Sequence, residues 1–314
     1  MKRMHTTIAM LCAGITLAGC QKAKQSENYQ KTNSDIEEFF AANRAAALNI
    51  FTVNPQTGGT FYFQNGSSLV VEPNAIRSTN GAVLTENVSI RINNVISRWD
   101  MLAFNMPTET DQDLLITGGS ADVKITTVSG AAVIIPSGGV TLIVPGSLTG
   151  GLDTGMSYWE GIQGTQQRDI VWIPGSRTLQ FDQTSYRVDI WGGGGKINID
   201  RHPLTKTMGV IPQVYLPGEF NETNTEIFVS VDGEVASLGS LDVVVTGSNG
   251  SYWTDNATFL TQGKTCNLIV VALINGTLRA AIQPFTATSN QSITITTIPA
   301  TTTTALRTAV DTLP

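Results

Sequence analysis

The chain has 314 residues, of which 41% are hydrophobic and only 14% are charged, and its formal net charge is −6. This low charge, together with 30 glycines, favours short strands and turns over long solvent-facing helices. The acidic balance argues against nucleic-acid binding, because neutralising phosphates requires clustered Lys and Arg side chains, and the sequence has no such cluster.

The first 20 residues have the layout of a lipoprotein signal peptide. A basic start is followed by an apolar run, Thr6 to Leu17, that is too short to span a bilayer, and then by Leu17-Ala18-Gly19-Cys20. We expect Cys20 to be lipidated, with acyl chains such as palmitate, and to become the first residue of the mature protein. Membrane attachment would then come from the lipid anchor, because several acyl chains together hold a protein firmly.

The predicted mature chain is acidic and begins with a tether. Of 19 basic residues, Lys2 and Arg3 leave with the signal peptide, so 17 basic and 25 acidic residues remain, a net charge of −8. Gln21 stands where an aspartate would favour retention in the inner membrane, which favours the outer membrane, on its periplasmic face or its surface. Residues 21–34 are polar and predict a flexible tether.

The hydrophobic pattern after the tether predicts one helix followed by many strands. A capping pattern from Ser34 and helical spacing predict a helix near residues 35–48. From Ile50 onward the period is two, and Asn65-Gly66 is a strong hairpin signal. We expect Gly118-Gly119 to be a turn between strands near 114–117 and 121–128.

These elements predict an all-β protein with two antiparallel β-sandwich domains, a short N-terminal helix and a short C-terminal helix. The predicted domains are residues 35–195, comprising the helix and the first sandwich, and residues 196–314, comprising a smaller sandwich whose final helix is capped by Thr301–Thr304. The boundary is placed at Gly192–Gly195, where four glycines suit a bend. These glycines lack the spacing of a phosphate-binding loop.

Few residues point to catalysis, and we predict no catalytic residues and no cofactor. Only Cys266 follows Cys20, so no internal disulfide can form, and a single cysteine beside an apolar run is expected to be buried. The mature chain has one histidine, His202, and no nucleophile elbow. A hydrolase using Glu160, Asp169 or His202 remains an alternative.

Two binding alternatives rest on residue clusters. Trp159, Trp172 and Trp191 would suit a glycan-binding surface if their rings were exposed, although Trp172 and Trp191 also fit a core. The alternating acids Glu109, Asp111 and Asp113 could collect oxygen ligands for calcium, but the loop lacks the other features of an EF-hand. A solvated turn is the competing interpretation of these acids.

A series of short motifs recurs in a recognisable order along residues 50–310. The sequence contains Pro73-Asn74-Ala75, Asn105-Met106-Pro107-Thr108, Leu114-Leu115-Ile116-Thr117-Gly118-Gly119, Trp159-Glu160-Gly161 and Lys196-Ile197-Asn198-Ile199-Asp200-Arg201. In order and spacing it resembles a family of uncharacterised outer-membrane lipoproteins of the Bacteroidota. The first domain of that family is similar to the ZU-type β-domain of ankyrins and netrin receptors. Lys196 departs from the family, which usually has an aromatic residue there.

The resemblance implies an extracytoplasmic β-rich scaffold and supplies no catalytic residues. Eukaryotic relatives of the domain bind proteins, and fold-level analogy of this kind favours an interaction role. The sequence therefore predicts a non-enzymatic, lipid-anchored cell-envelope protein that is a scaffold or protein-binding module, with a glycan-binding surface lipoprotein as the alternative. The expected partners are the membrane, through the anchor, and an envelope protein or glycan.

Overall fold

The computed structural model describes residues 36–110, 114–163, 170–203, 209–210, 212–233, 237–241, 243–247, 250–253, 260–288 and 291–314. The helices are α1 (Ile36–Ala46), α2 (Arg98–Phe104) and α3 (Thr303–Asp311). Strands β1 to β13 are Asn49–Val53, Gly59–Tyr62, Ser68–Val71, Arg77–Ser78, Val88–Val95, Ile116–Thr127, Val133–Ile134, Val140–Pro145, Ser157–Gln163, Ile170–Pro174, Gln180–Phe181, Ser185–Asp189 and Gly194–Arg201. Strands β14 to β23 are Gly209–Val210, Gln213–Leu216, Thr225–Val231, Gly239–Leu241, Val243–Gly247, Gly250–Trp253, Leu260–Thr261, Thr265–Ile274, Thr277–Thr286 and Ser292–Thr294.

The architecture is all-β and sandwich-like, as the sequence predicts. In the first half, a six-stranded sheet of order β1-β5-β6-β13-β9-β10 faces a five-stranded sheet of order β11-β12-β8-β3-β2. In the second half, two four-stranded sheets, β17-β16-β21-β22 and β18-β19-β15-β23, face each other. Pairing is antiparallel throughout these sheets except between β15 and β23.

A third apolar layer joins the two sandwiches. It contains Phe40 of α1, Leu102 of α2 and Val310 of α3, together with Trp172 of the six-stranded sheet and Phe228 of β16. All of them are buried. The three helices thus fill the space between the six-stranded sheet and the β17-β16-β21-β22 sheet. The described residues from Ile36 to Pro314 belong to one compact unit.

The predicted boundary between residues 195 and 196 lies inside β13. This strand pairs with β6 on one side and with β9 on the other, so it occupies the middle of the six-stranded sheet. Its apolar side chains, Ile197 and Ile199, belong to the core of the first sandwich. The first sandwich therefore continues to Arg201.

Helix α1 begins at Ile36, and its two phenylalanines are buried as the helical spacing predicts. The Phe39 ring packs edge-on against Trp99 of α2, and the Phe40 ring packs edge-on against Phe228 of the second sandwich. The helix thus contacts both halves of the chain, whereas the sequence analysis assigns it to the first domain alone. The predicted cap at residues 34 and 35 lies outside the described residues.

Helix α2 is absent from the sequence prediction, although its start signal is present. The Ser97 hydroxyl accepts a hydrogen bond from the Asp100 backbone N–H, and the Asp100 carboxylate accepts one from the Ser97 N–H. This reciprocal arrangement is a capping box, which satisfies backbone donors at a helix start. The helix has only seven residues, and its buried side chains prevent an amphipathic pattern from standing out.

Gly118-Gly119 is a β-bulge within β6, not the predicted turn between two strands. Asn198 is paired with Ser120 and Asp200 with Thr117, so two glycines stand opposite Ile199. A Cβ on Gly118 would lie 3.0 Å from Ile199, and Gly119 has a φ of +117°. Glycine is needed at both positions, because the bulged backbone and the close core packing exclude a side chain.

Candidate functional site

Two of the three tryptophans proposed as glycan contacts are in the core. Trp159 and Trp172 are both buried in the apolar layer between the sandwiches. The Trp159 Nε1–H donates to the Asp200 carbonyl at 2.9 Å, and the Trp172 Nε1–H donates to the Pro107 carbonyl at 2.7 Å. Neither ring presents a face to solvent, so neither can stack on a sugar. This corrects the three-tryptophan surface predicted from sequence.

Trp191 is 38% exposed and lies shortly after β12 of the five-stranded sheet. The Arg177 guanidinium carbon lies 5.0 Å from the centroid of the Trp191 ring and 5.0 Å from that of the Tyr158 ring. Arg177 thus contacts two aromatic rings at once, in the range where cations are attracted to ring faces. The expectation that Trp191 belongs to the core is wrong, because the ring lies on the outside of this stack.

Further polar contacts hold Arg177 in place. Its Nη1 donates to the Asp189 carbonyl at 2.8 Å, and its Nε lies 3.6 Å from the Glu160 Oε1. A guanidinium that is bonded in this way and packed between rings has little freedom to move. Trp191 is therefore presented on a rigid support.

The exposed surface continues from Glu160 across β9 and β10. Ile173 is paired with Glu160 and is 38% exposed, and Ile162, two residues after Glu160 on the same face, is 46% exposed. We call Glu160, Ile162, Ile173, Arg177 and Trp191 the Trp191 surface. It combines aliphatic, aromatic and charged groups, a mixture typical of contact surfaces.

Gly161, between Glu160 and Ile162, makes room for the core beneath this surface. A Cβ at this position would lie 2.8 Å from the Trp172 ring and 2.7 Å from the Lys196 Cβ. The glycine thus allows the large buried indole to pack directly on the backbone of β9. Glu160, Ile162 and Ile173 of the Trp191 surface therefore lie on the face of β9 and β10 opposite to the buried Trp172.

The calcium candidates are only partly described, and Glu109 has another role. Its carboxylate accepts hydrogen bonds from the Ser240 backbone N–H at 3.0 Å and from the Ser240 hydroxyl at 2.5 Å. The buried carboxylate thus links this segment to β17. Asp111 and Asp113 lie outside the described residues. Within the described ranges, no group of three or more His, Cys, Asp or Glu side chains could hold a metal ion.

The hydrolase candidates are not brought together as an acid–base set in the described part of the chain. Glu160 is paired with Arg177, and the His202 ring packs edge-on against Trp159 at 5.3 Å. Asp169 lies outside the described residues. Cys266 is buried, as predicted, and burial raises the pKa of its thiol to about 12. A thiol with this pKa is a poor nucleophile near neutral pH.

Asp200 is a titratable residue that the sequence analysis did not single out. It is fully buried, its Oδ2 accepts a bond from the Asn198 amide, and its Oδ1 has no hydrogen-bond partner. Thr117 donates to the Asn198 Oδ1 at 2.7 Å, which fixes the amide. Burial raises the pKa of Asp200 well above its usual range.

We predict that Asp200→Asn is more stable than the wild type at pH 8, and that this advantage is smaller at pH 4. Because the folded pKa is raised, the stability that protonated Asp200 contributes is complete below the unfolded pKa, near 4, and is lost as pH rises through the folded pKa. Asparagine cannot ionise, so the advantage of the variant should grow with pH to about 1–3 kcal/mol.

Urea unfolding of the wild type and Asp200→Asn at pH 4 and pH 8 measures this difference. Asp122→Asn is the matched control, because Asp122 lies on the same sheet but is partly exposed beside Lys196. An equal difference between Asp200→Asn and the wild type at both pH values would show that the pKa of Asp200 is not raised in the folded state.

Comparison with known proteins identifies no family for this chain. No protein-family model matches it, and no curated protein matches it. Among solved structures, the gamma-CGTase from alkalophilic Bacillus clarkii is similar over 77% of this chain and 41% of its own length, with 10% identity and a TM-score of 0.22. The chain thus spans less than half of that enzyme.

Cys20 and the rest of the predicted signal peptide and tether lie outside the described residues. Among the residues that the structure does describe, no helix is long and apolar enough to cross a membrane.

Proposed function

We propose that this chain is a non-enzymatic, lipid-anchored cell-envelope protein that binds a protein partner through the Trp191 surface. The observation that carries the proposal is the exposed Trp191 ring, held on Arg177 and linked through Arg177 and Glu160 to the exposed Ile162 and Ile173. Tryptophan and arginine are enriched among the few residues that carry most of the binding energy of protein interfaces. Exposed apolar residues that lie together mark interaction sites more often than single exposed residues do.

The contacts of Arg177 favour a protein partner over a glycan. Sugar recognition needs polar groups that are free to bond hydroxyls, in addition to a ring face. Arg177 already bonds the Asp189 carbonyl and lies beside Glu160, and the two isoleucines offer no hydrogen-bonding side chains. The burial of Trp159 and Trp172 removes two of the three rings on which a glycan surface would depend.

A glycan ligand is the second candidate, because the Trp191 ring retains exposed area beside a carboxylate, Glu160. A glycan array probed with the wild type and with Trp191→Ala tests it. Binding that is lost in Trp191→Ala would favour the glycan candidate. The absence of binding by the wild type would leave the protein-partner proposal as it stands.

Photo-crosslinking in native envelopes tests the protein-partner proposal directly. A photoreactive phenylalanine analogue replaces Ile173 in one variant and Val128, which is exposed in a turn after β6, in the control. We expect one discrete crosslinked protein from position 173 that is absent from position 128. Identical products at both positions, or none at position 173, would contradict the proposal.

The membrane anchor makes a separate prediction for Cys20→Ser. Without its thiol, the residue cannot receive the lipid, so the protein should move almost entirely from the membrane fraction to the soluble fraction. Its unfolding midpoint should match that of the delipidated wild type, because the polar tether has almost nothing to bury. Fractionation followed by immunoblotting measures the shift, and a variant that stays in the membrane fraction would contradict lipidation at Cys20.

A further inference from the structure

Strands β1 and β2 are the outer strands of the two sheets of the first sandwich, and they lie on the same side of it. The six-stranded sheet ends with β1, and the five-stranded sheet ends with β2. Side chains from the two strands are in contact, and the ring centroids of Phe51 on β1 and Phe61 on β2 are 5.1 Å apart. Two sheet edges are therefore stacked, one above the other.

Three other outer strands of the larger sheets are covered by other parts of the chain. On β10, the Trp172 N–H donates to the Glu109 carbonyl at 3.0 Å. On β17, the Ser240 N–H donates to the Glu109 carboxylate. On β22, the Ala280 N–H donates to the Pro299 carbonyl at 3.0 Å, and Pro284 cannot donate at all. These features prevent edge-to-edge pairing.

The edges of β1 and β2 lack this protection. Across the described residues, no backbone hydrogen bond reaches either strand except those from β5 and β3. The strands Asn49–Val53 and Gly59–Tyr62 contain no charged residue and no proline. Ile50 is 55% exposed and Tyr62 is 75% exposed. Uncharged open edges of this kind are templates for pairing with another strand.

We propose that a second copy of this chain pairs with this double edge, strand β1 against β1 in antiparallel orientation. Pairing centred on Phe51 places Ile50 opposite Thr52 of the other copy and Asn49 opposite Val53. In this register, the core-facing side chains of one copy lie beside the core-facing side chains of the other copy, and the outward-facing side chains also lie beside each other. The two hydrophobic cores thus become continuous across the pair of strands. Because Phe51 faces Phe61, a two-fold axis perpendicular to the sheets also brings β2 against β2.

Charge at this edge does not oppose pairing with a second copy. Two copies of an acidic chain repel each other over most of their surfaces, but this edge brings no like charges into contact. The nearest base on the paired strand is Arg91, opposite Ile50 on β5. The two copies of Arg91 would be about 16 Å apart, three strand spacings across and two residues along the strands, where salt screens their repulsion.

The contact is small, so the dimer should be weak and concentration-dependent. Nine edge residues from each copy take part, whereas stable interfaces use about 20–30 residues a side. Sedimentation velocity from about 1 to 200 μM should show a reversible monomer–dimer equilibrium. The double variant Ile50→Lys with Thr52→Lys should weaken it at least about tenfold, because it places lysines opposite lysines.

The matched control carries lysines on the far edge of the same sheet. Ile162→Lys with Ile173→Lys makes the same change in net charge, and it should leave dimerisation unchanged while disabling the Trp191 surface. Failure of the dimer and failure of the protein-partner proposal are thus distinguishable. Circular dichroism of both variants confirms that they are folded.

A second readout fixes the register. In the variant I50C/T52C, oxidation should link position 50 of one copy to position 52 of the other. A protein that stays monomeric at 200 μM, or a dimer that is insensitive to the lysines at positions 50 and 52, would overturn the proposal. A monomer that captures a foreign strand on β1 would also overturn it and would assign the edge to another protein.

Discussion

Arg98→Ala is expected to destabilise the protein by about 3–5 kcal/mol, among the largest effects of any single substitution. The Arg98 guanidinium is buried, and it donates to the Leu313 carbonyl at 2.7 Å and to the Pro314 oxygen at 2.8 Å. It also donates to the Val231 carbonyl at 3.3 Å. The alanine variant would leave the buried Val231 carbonyl and the partly buried bonding positions at Leu313 and Pro314 without their charged donor. The loss at a buried acceptor costs more than the bond itself contributes.

The effect of Arg98 should extend beyond α2, because its bonds connect distant parts of the chain. Val231 ends β16, and Leu313 follows α3 and packs on the layer between the sandwiches. Urea unfolding of Arg98→Ala measures the loss. Arg91→Ala, at an exposed position on β5, should change stability by no more than about 0.5 kcal/mol. Equal stability of the two variants would contradict the role assigned to Arg98.

Trp172→Ala should cost about 3–5 kcal/mol, whereas Trp191→Ala should cost less than about 1 kcal/mol. Trp172 is fully buried with its Nε1–H bonded to Pro107, so truncation leaves both a cavity and an unpaired carbonyl. Trp191 loses chiefly its contact with Arg177, and cation–π contacts at exposed sites contribute about 0.5–1 kcal/mol. The two substitutions remove the same kind of side chain, one from the core and the other from the surface.

Thermal and urea unfolding of both tryptophan variants measure this contrast. Trp172→Phe should recover part of the loss, because it refills most of the volume without the hydrogen bond. A Trp191→Ala variant as unstable as Trp172→Ala would mean that the Trp191 ring is part of the core and is not a contact surface.

The sequence predicts local elements well where one physical rule acts alone. Val88, Ile90 and Ile92 alternate and form β5, and Asn65-Gly66 joins β2 to β3. Thr302 caps α3 as predicted, with its hydroxyl accepting a hydrogen bond from the Ala305 N–H. In each case the chemistry lies within a few residues, so tertiary contacts do not decide the outcome.

Features that depend on distant contacts were missed. Gly118-Gly119 resembles a turn in sequence, but the backbone continues as a bulge because Ile199, on another strand, packs against it. Trp159 and Trp191 have the same side chain, but Trp159 is buried in the layer where the helices pack between the sandwiches, whereas Trp191 is outside that layer and is 38% exposed. Arg177 carries no motif at all, since its role comes from the rings of Tyr158 and Trp191 on either side.

The affinity of the partner crosslinked at position 173 is the most direct test of the proposed binding role. Purified partner would be titrated against the wild type, Trp191→Ala and the control Val128→Ala. We predict at least about 30-fold weaker binding for Trp191→Ala, as expected of an interface hot spot, and an unchanged affinity for Val128→Ala. Equal affinities for all three proteins would contradict the assignment of the Trp191 surface as the binding site.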